Sequence, residues 1–227
     1  MKIDMHVHTN ASNDGLTSPR AAVRWALKRG LDGIAVTDHN TSANVERVAA
    51  AAPDGFIVIP GAEYSTDHGH ILALFFDGTG INFWRDGAGR FSLSEIAQRV
   101  RAEGGLLVSA HPFQKGETVK ESLFEYVDGI ECANAWELRR EPRTLDLANE
   151  AAAARGLFMT GGSDAHLPME IGRAFTSFGE DARRSLNGLR DAMKGGLCEA
   201  SGRPGSMACR MLIRVRKRAM RAMGLVK

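Results

Sequence analysis

One pattern limits this chain more than any other: short apolar runs, each closed or opened by a histidine or a carboxylate. The first covers residues 2–8. Ile3, Met5 and Val7 alternate with Asp4, His6 and His8, the period of a strand with two chemical faces. A run over 33–37 is followed at once by Asp38 and His39, and one over 56–59 leads into Glu63. His70 opens a run to residue 76, and His111 follows the run 106–109. The run 157–160 leads through two glycines to Asp164 and His166, and one more run covers 129–132. Between most of these lie helix patterns. Ser18-Pro19 supplies an N-cap and first-turn proline for a helix that stops at Gly30. Further helices are predicted over 42–52, 92–103 (Ser92 and Glu95 form a capping box), 142–155 and 181–194. The 227 residues suffice for one sizeable core. Seven strands alternating with helices predict a single α/β domain, a β/α barrel rather than an open sheet.

In such a barrel the strand ends converge on one mouth, so residues 160 positions apart can meet. The spacing within each pair has its own reason. His6 and His8, two apart on a strand, project from one face, and both imidazoles can reach one ion at ~2.0–2.1 Å. Asp164 and His166 repeat that spacing with a harder oxygen beside a nitrogen. Glu63 offers two oxygens and can bridge neighbouring ions. Mixed histidine and carboxylate donors suit zinc, iron or manganese better than calcium or magnesium. Asp38 reads as a carboxylate that orients a ligand ring. His68, in the loop Thr66-Asp67-His68-Gly69, reads as an ordinary loop histidine. An isolated histidine is more often a hydrogen-bonding residue than a ligand, but six histidines with two carboxylates at strand ends favour a metal centre.

The blocks His6-Val7-His8-Thr9, Thr37-Asp38-His39-Asn40, Gly61-Ala62-Glu63, Gly69-His70, Ala110-His111-Pro112-Phe113 and Gly162-Ser163-Asp164-Ala165-His166 together resemble the PHP (polymerase and histidinol phosphatase) family of metallophosphoesterases. The resemblance runs in motif order over about residues 1–175. It implies a distorted (β/α)7 barrel with a di- or trinuclear site and hydrolysis of phosphate esters. It also implies a ligand set: His6, His8, Glu63 and Asp164 around one ion, Asp14, His39 and His166 around a second, and Glu63, His70 and His111 around a third. Asn13-Asp14-Gly15 is also a good turn, so a turn aspartate competes with the ligand role at Asp14.

The activity expected is hydrolysis by a hydroxide bridging two or three divalent zinc, manganese or iron ions, since metal binding lowers water's pKa from 15.7 to about 7. The substrate would be a phosphomonoester, or a nucleotide or oligonucleotide ester. No Ser-His-Asp set or glycine-rich phosphate loop is visible. Lys115 and Arg173 are candidates for gripping the substrate phosphate, with Arg139, Arg140 and Arg143 as further choices. Two other classes stay open. An amidohydrolase also begins with HxH on a first barrel strand, but no strand-end lysine is present to form a bridging carbamate. A non-catalytic metal-binding scaffold would not be expected to keep a complete ligand set.

Composition matters at the C-terminal end. From Arg203 onward there are eight basic residues and no acid. Removing those eight from 29 leaves 21 basic against 27 acidic residues, so residues 1–202 carry −6. We therefore divide the chain into a barrel (1–200) and a basic tail (201–227). On a helical wheel Met207, Met211, Leu212, Val215, Ala219 and Met223 share one side. Arg210, Arg214, Lys217, Arg218 and Arg221 share the other. The expectation is a helix packed on the barrel with its basic side in water; the alternative is a docking surface for nucleic acid or an anionic membrane. Three cysteines without a CxxC pair, no leader ahead of the first strand and no apolar run of membrane length point to a cytoplasmic protein.

Overall fold

The structure, a computed structural model, describes residues 1–78, 85–114, 119–180 and 182–222. Its strands are β1 (Lys2–Val7), β2 (Gly33–Val36), β3 (Ile57–Thr66), β4 (Gly69–Leu74), β5 (Leu106–Ser109), β6 (Gly129–Asn134), β7 (Phe158–Gly162), β8 (Ala174–Phe178) and β9 (Cys198–Gly202). The helices are α1 (Pro19–Lys28), α2 (Val45–Ala49), α3 (Leu93–Ala102), α4 (Ala135–Leu138), α5 (Thr144–Arg155), α6 (Leu186–Lys194) and α7 (Met207–Ala222). The strands form one sheet in the order β7-β6-β5-β4-β3-β2-β1-β8-β9. β1, β2 and β3 are parallel, β4 runs antiparallel to both its neighbours, and β5, β6 and β7 are parallel again.

The sheet curls into a nearly closed barrel, a distorted seven-stranded frame. At the mouth β7 meets β1 through Asp164 N–H donating to His6 O (2.9 Å) and His8 N–H to Ala165 O (3.1 Å). A Cβ at Gly162 would overlap that of His6 and lie 2.7 Å from Glu131 Oε1, so only glycine lets the two strands come this close. At the opposite end β8 pairs antiparallel with β1, and β9 with β8. Gly161 N–H donates to Thr176 Oγ1 (2.9 Å), so this added antiparallel pair, joined through α6, closes the seam.

These last two strands are absent from the sequence reading. The alternation in Cys-Glu-Ala-Ser-Gly of β9 is carried by small residues alone, and its partner β8 is a five-residue segment beyond the last metal-binding block. Helix ends were easier. Ser18 and Ser92 accept from Ala21 N–H and Glu95 N–H, as capping residues should. Helix α5 stops at Gly156, whose φ of +64° continues the chain in the left-handed region. Helix α2 is only Val45–Ala49, shorter than expected, because Asn44 gives no side-chain cap. Helix α6 begins at Leu186 behind the cap Ser185; the expected start at residue 181 lies outside the described residues.

The two-faced reading of β1 needs one correction. Ile3 and Met5 pack with Ile57, Ile59, Leu72, Leu74, Leu106 and Val108, together with Leu189 and Met193 from α6. Val7 instead packs with Ala22, Val23 and Ala26 of α1 and with Ile34 and Val36 of β2. The ladder register slips between Asp4 and Val7. A bulge of this kind switches side-chain parity. Ile3 and Met5 therefore fill the lower barrel, Val7 packs under α1, and His6 and His8 line the upper end.

The tail departs from expectation on its apolar side, while Arg214 and Arg218 are exposed as expected. In α7, Arg210 and Ile213 are 4% and 1% exposed, whereas Met207, Met211, Leu212 and Val215 are each more than half exposed. The helix is amphipathic, but it docks by the side carrying Arg210. Arg210 lies over the Trp136 ring, 4.9 Å from its centroid, and donates to Trp136 O (3.2 Å). Aromatic face and carbonyl together make burial of the guanidinium tolerable. Met223 is outside the described residues.

Candidate metal centre

The first strand end supplies two rings whose Nε2 atoms meet at 3.0 Å. Each is held from behind. His6 Nδ1 lies 3.0 Å from Glu131 Oε1. His8 Nδ1 lies 3.1 Å from Ser12 Oγ, and Ser12 Oγ–H donates to Asp38 Oδ1 at 2.7 Å. Ser12 Oγ also accepts from His39 N–H (2.9 Å), which accounts for all of its hydrogen-bonding capacity. This assigns the proton of His8 to Nδ1 and leaves Nε2 as a lone pair facing the centre. Asp38 therefore orients a ring through Ser12, and is itself held by Thr9 N–H and Thr9 Oγ–H, both at 2.6 Å.

Glu63 sits among the imidazoles because Ile57, Ile59 and Glu63 share one side of β3, apolar below and acidic at the mouth. Its Oε1 lies 2.9 Å from His70 Nδ1 and 3.0 Å from His111 Nε2. Its Oε2 lies 2.8 Å from His39 Nδ1 and 3.4 Å from Nε2 of both His6 and His8. That oxygen is buried and makes no hydrogen bond of good geometry. His70 stands at the start of its strand rather than the end. The β3–β4 hairpin reverses direction, so the start of β4 is the end at the mouth, with His70 opposite Ser65.

The last block completes the cluster. Asp164 Oδ1 lies 3.2 Å from His8 Nε2 and 3.5 Å from His166 Nδ1. His166 Nε2 lies 3.1 Å from Asp14 Oδ2, and His39 Nε2 is 3.5 Å from the same oxygen. Asp164 and His111 adopt φ of +53° and +29°. Non-glycine residues seldom adopt such φ, and the strain collects at functional positions. Among the described residues, three groups have donor atoms within 4.8 Å of one another: His8, His39 and His166; His6, His8 and Asp164; His6, Glu63 and His111.

Electrostatics follow from this crowding. Burial pushes His8 down to about 3, helped by the neighbouring His166 and His39 rings. Burial opposes a proton on His39 too, but Glu63 and Asp14 outweigh it and raise this ring to about 10. His6 is likewise raised against burial by Glu131, Asp164 and Glu63. Burial works against ionised Glu63, yet His39, His6 and His70 hold it well below the usual carboxylate range. Asp164 and Asp14 are lowered against burial in the same manner, by His6 and by His166 respectively. The carboxylates are anionic, and protons on His6 and His39 are the positive charge that an arriving cation would displace.

Other sequence candidates fall elsewhere. His68 pairs with Asp67 (2.8 Å) and packs toward Tyr126, away from the cluster. Arg173 donates to Glu170 Oε1 (3.1 Å) and Pro204 O (3.2 Å), anchoring the segment that leads to α7. Lys115 lies outside the described residues. Arg140 is 3.8 Å from Glu137, while Arg139 and Arg143 are exposed. Three contributors escaped the sequence reading: Ser12, Glu131 and Trp136, whose ring lies 5.7 Å from that of His166. Glu131 carried a signal, an acid at an inward position of an otherwise apolar strand. Ser12 and Trp136 carried none.

A family profile described as PHP-associated matches residues 142–198. An uncharacterised protein of Methanocaldococcus jannaschii is 30% identical over 149 residues, 60% of this chain and 83% of that protein. A 5'-3' exoribonuclease of Salmonella typhimurium is 29% identical over 180 residues, covering 76% of this chain but only 50% of the exoribonuclease. A two-domain protein of Bacteroides vulgatus, described as containing a predicted PHP-like metal-dependent phosphoesterase, superposes with a TM-score of 0.72 at 23% identity. That match covers 89% of this chain and 65% of the Bacteroides protein. Motif blocks, nearly closed barrel and relatives converge on one assignment, and the chain belongs to the PHP family.

Proposed function

We propose that this protein hydrolyses phosphate esters, with a nucleotide or oligonucleotide as the substrate class and two or three divalent transition-metal ions as cofactors. The observation that carries the reading is the environment of Glu63. A buried carboxylate oxygen without a well-formed hydrogen bond, approached by three imidazole nitrogens, fits a bridging ligand between cations. His6, His8, Asp14, His39, Glu63, His70, His111, Asp164 and His166 would hold the ions, and the nitrogen-rich donor set favours zinc, manganese or iron. When bound, the ions would supply Lewis acidity and an acidified water at neutral pH.

The chain's own residues do the positioning. Glu131 fixes the His6 ring, and Asp38 fixes His8 through Ser12, so both Nε2 atoms face one point, that of His6 after loss of its proton. Trp136 packs beside His166, its ring 5.7 Å from the imidazole, and borders the metal ligands on that side. The exoribonuclease name of the Salmonella relative supports the nucleotide class. The test is a panel of phosphate esters, 5'-phosphorylated oligoribonucleotides included, assayed with metal-loaded protein beside amide and cyclic-imide substrates. Phosphate release that stops with a chelator and returns with manganese, zinc or iron is expected. Hydrolysis confined to C–N bonds, or none on any ester, overturns the reading.

A further inference from the structure

Helix α7 is held from one side only. Gly205 N–H donates to Ala135 O (2.7 Å) and Ser206 N–H to Glu170 Oε2 (2.8 Å), fixing where the helix begins. Arg210 and Ile213 then seat it on the barrel beside Trp136. Its outer side carries Met207, Met211, Leu212 and Val215, 56%, 67%, 54% and 58% exposed. Ala208, Ala219 and Ala222 are exposed as well, and Arg214 and Arg218 stand exposed along one edge of the stripe. A contiguous apolar stripe held outward from the barrel calls for an occupant.

We propose that α7 docks the protein onto an anionic lipid surface, lying in the headgroup layer with its methionine, leucine and valine stripe inward. Charge complementarity selects this occupant: the stretch from Arg203 to Lys227 carries eight basic residues and no acid. Apolar side chains can enter the acyl boundary while Arg214 and Arg218 reach lipid phosphates from the edge. Nucleic acid is the poorer fit. Arg210 is turned inward, and the tail has no aromatic residue on which a base could stack. A second copy fits poorly too, because a two-fold pair of these helices would bring like-charged Arg214 and Arg218 together. No helix among the described residues is long and apolar enough to cross a membrane, so the helix would lie on the surface rather than span it.

The test uses the full chain, metal-loaded, sedimented with vesicles of phosphatidylcholine containing phosphatidylglycerol and with vesicles of phosphatidylcholine alone. Binding to the anionic vesicles, weakened by salt, is expected. The double substitution Met211→Glu with Val215→Glu should lower that binding by about tenfold or more. Its thermal midpoint should not change, because neither side chain packs on the barrel. No binding to anionic vesicles, or full binding by the double variant, overturns the proposal. So does a variant that keeps vesicle binding but loses an oligoribonucleotide, or one that converts a dimer to a monomer.

Discussion

The metal centre and helix α7 are both built from side chains of contrasting polarity, yet different forces aim them. At the centre each donor leaves a strand end, and a second group holds its ring: Glu131 behind His6, Ser12 and Asp38 behind His8. Backbone direction and hydrogen bonds leave these side chains little choice. Helix α7 offers two candidate sides, and a few contacts at Arg210 and Ile213 decide which one is covered. The first arrangement is redundant and the second rests on few contacts. Perturbing them should therefore give effects of different kinds.

The largest effect is expected at Glu63. Glu63→Gln keeps the shape but supplies only one good acceptor, and turnover should fall by at least about a hundredfold, more than loss of an outer partner costs. Circular dichroism should show an unchanged fold. Near-normal rates would mean that Glu63 bridges nothing. Next, His6→Ala or Asp164→Ala should lower metal content by more than one site's share, because both residues border groups that share donors. Elemental analysis checks this, and a fully active metal-free protein would end the metal reading.

In the tail the contrast is within one helix. Ile213→Ala, at a buried position, should cost about 2 kcal/mol of the energy that seats α7. Met211→Ala, at an exposed one, should stay within about 0.5 kcal/mol. Equal effects in thermal unfolding would show that the helix is not seated as described.

Between the two regions lies Glu137, buried with neither carboxylate oxygen hydrogen-bonded. Burial pushes its carboxyl up to about 7, only partly offset by His111 and Arg140. The native state then holds this proton more tightly than the unfolded chain does. Stability should decline as pH rises from about 4.5 to about 7. Glu137→Gln removes that decline. The variant should match the wild type in acid and exceed it above pH 7 by on the order of 1 kcal/mol, allowing for solvent screening. Parallel stability curves would show that Glu137 is not the group responsible.

The sequence was most legible where chemistry followed local backbone geometry. His6-x-His8 could be placed because period-two alternation projects both side chains to one side, whereas Asp164-x-His166, beyond β7 and with Asp164 at φ +53°, repeats the spacing without a strand. Capping located helices α1 and α3, through Ser18-Pro19 with Gly30 and through Ser92 with Glu95. Legibility failed where the partner was distant. Ser12 gains its role only by sitting between His8 and Asp38, and Trp136 only by lying beside His166. The antiparallel pair β8–β9, joined through α6, is defined by its contacts with β1 and β7, which no residue within those strands announces.

By itself, then, the sequence determined which residues end at the mouth of a β/α barrel and which donor types they carry there. Local alternation and capping are encoded residue by residue. Tertiary structure alone decided three other things. The bulge in β1 switches parity, so that Met5 fills the lower barrel while His6 lines the mouth. The reversed β4 brings the start of its strand, and His70 with it, to the same end as the others. The docking of α7 buries Arg210 and leaves the methionine stripe outside. An amphipathic wheel has two sides, and which one is covered depends on what the barrel offers it. Here that is the face and carbonyl of Trp136, which engage the Arg210 guanidinium through the ring and one hydrogen bond while its Nε stays unbonded.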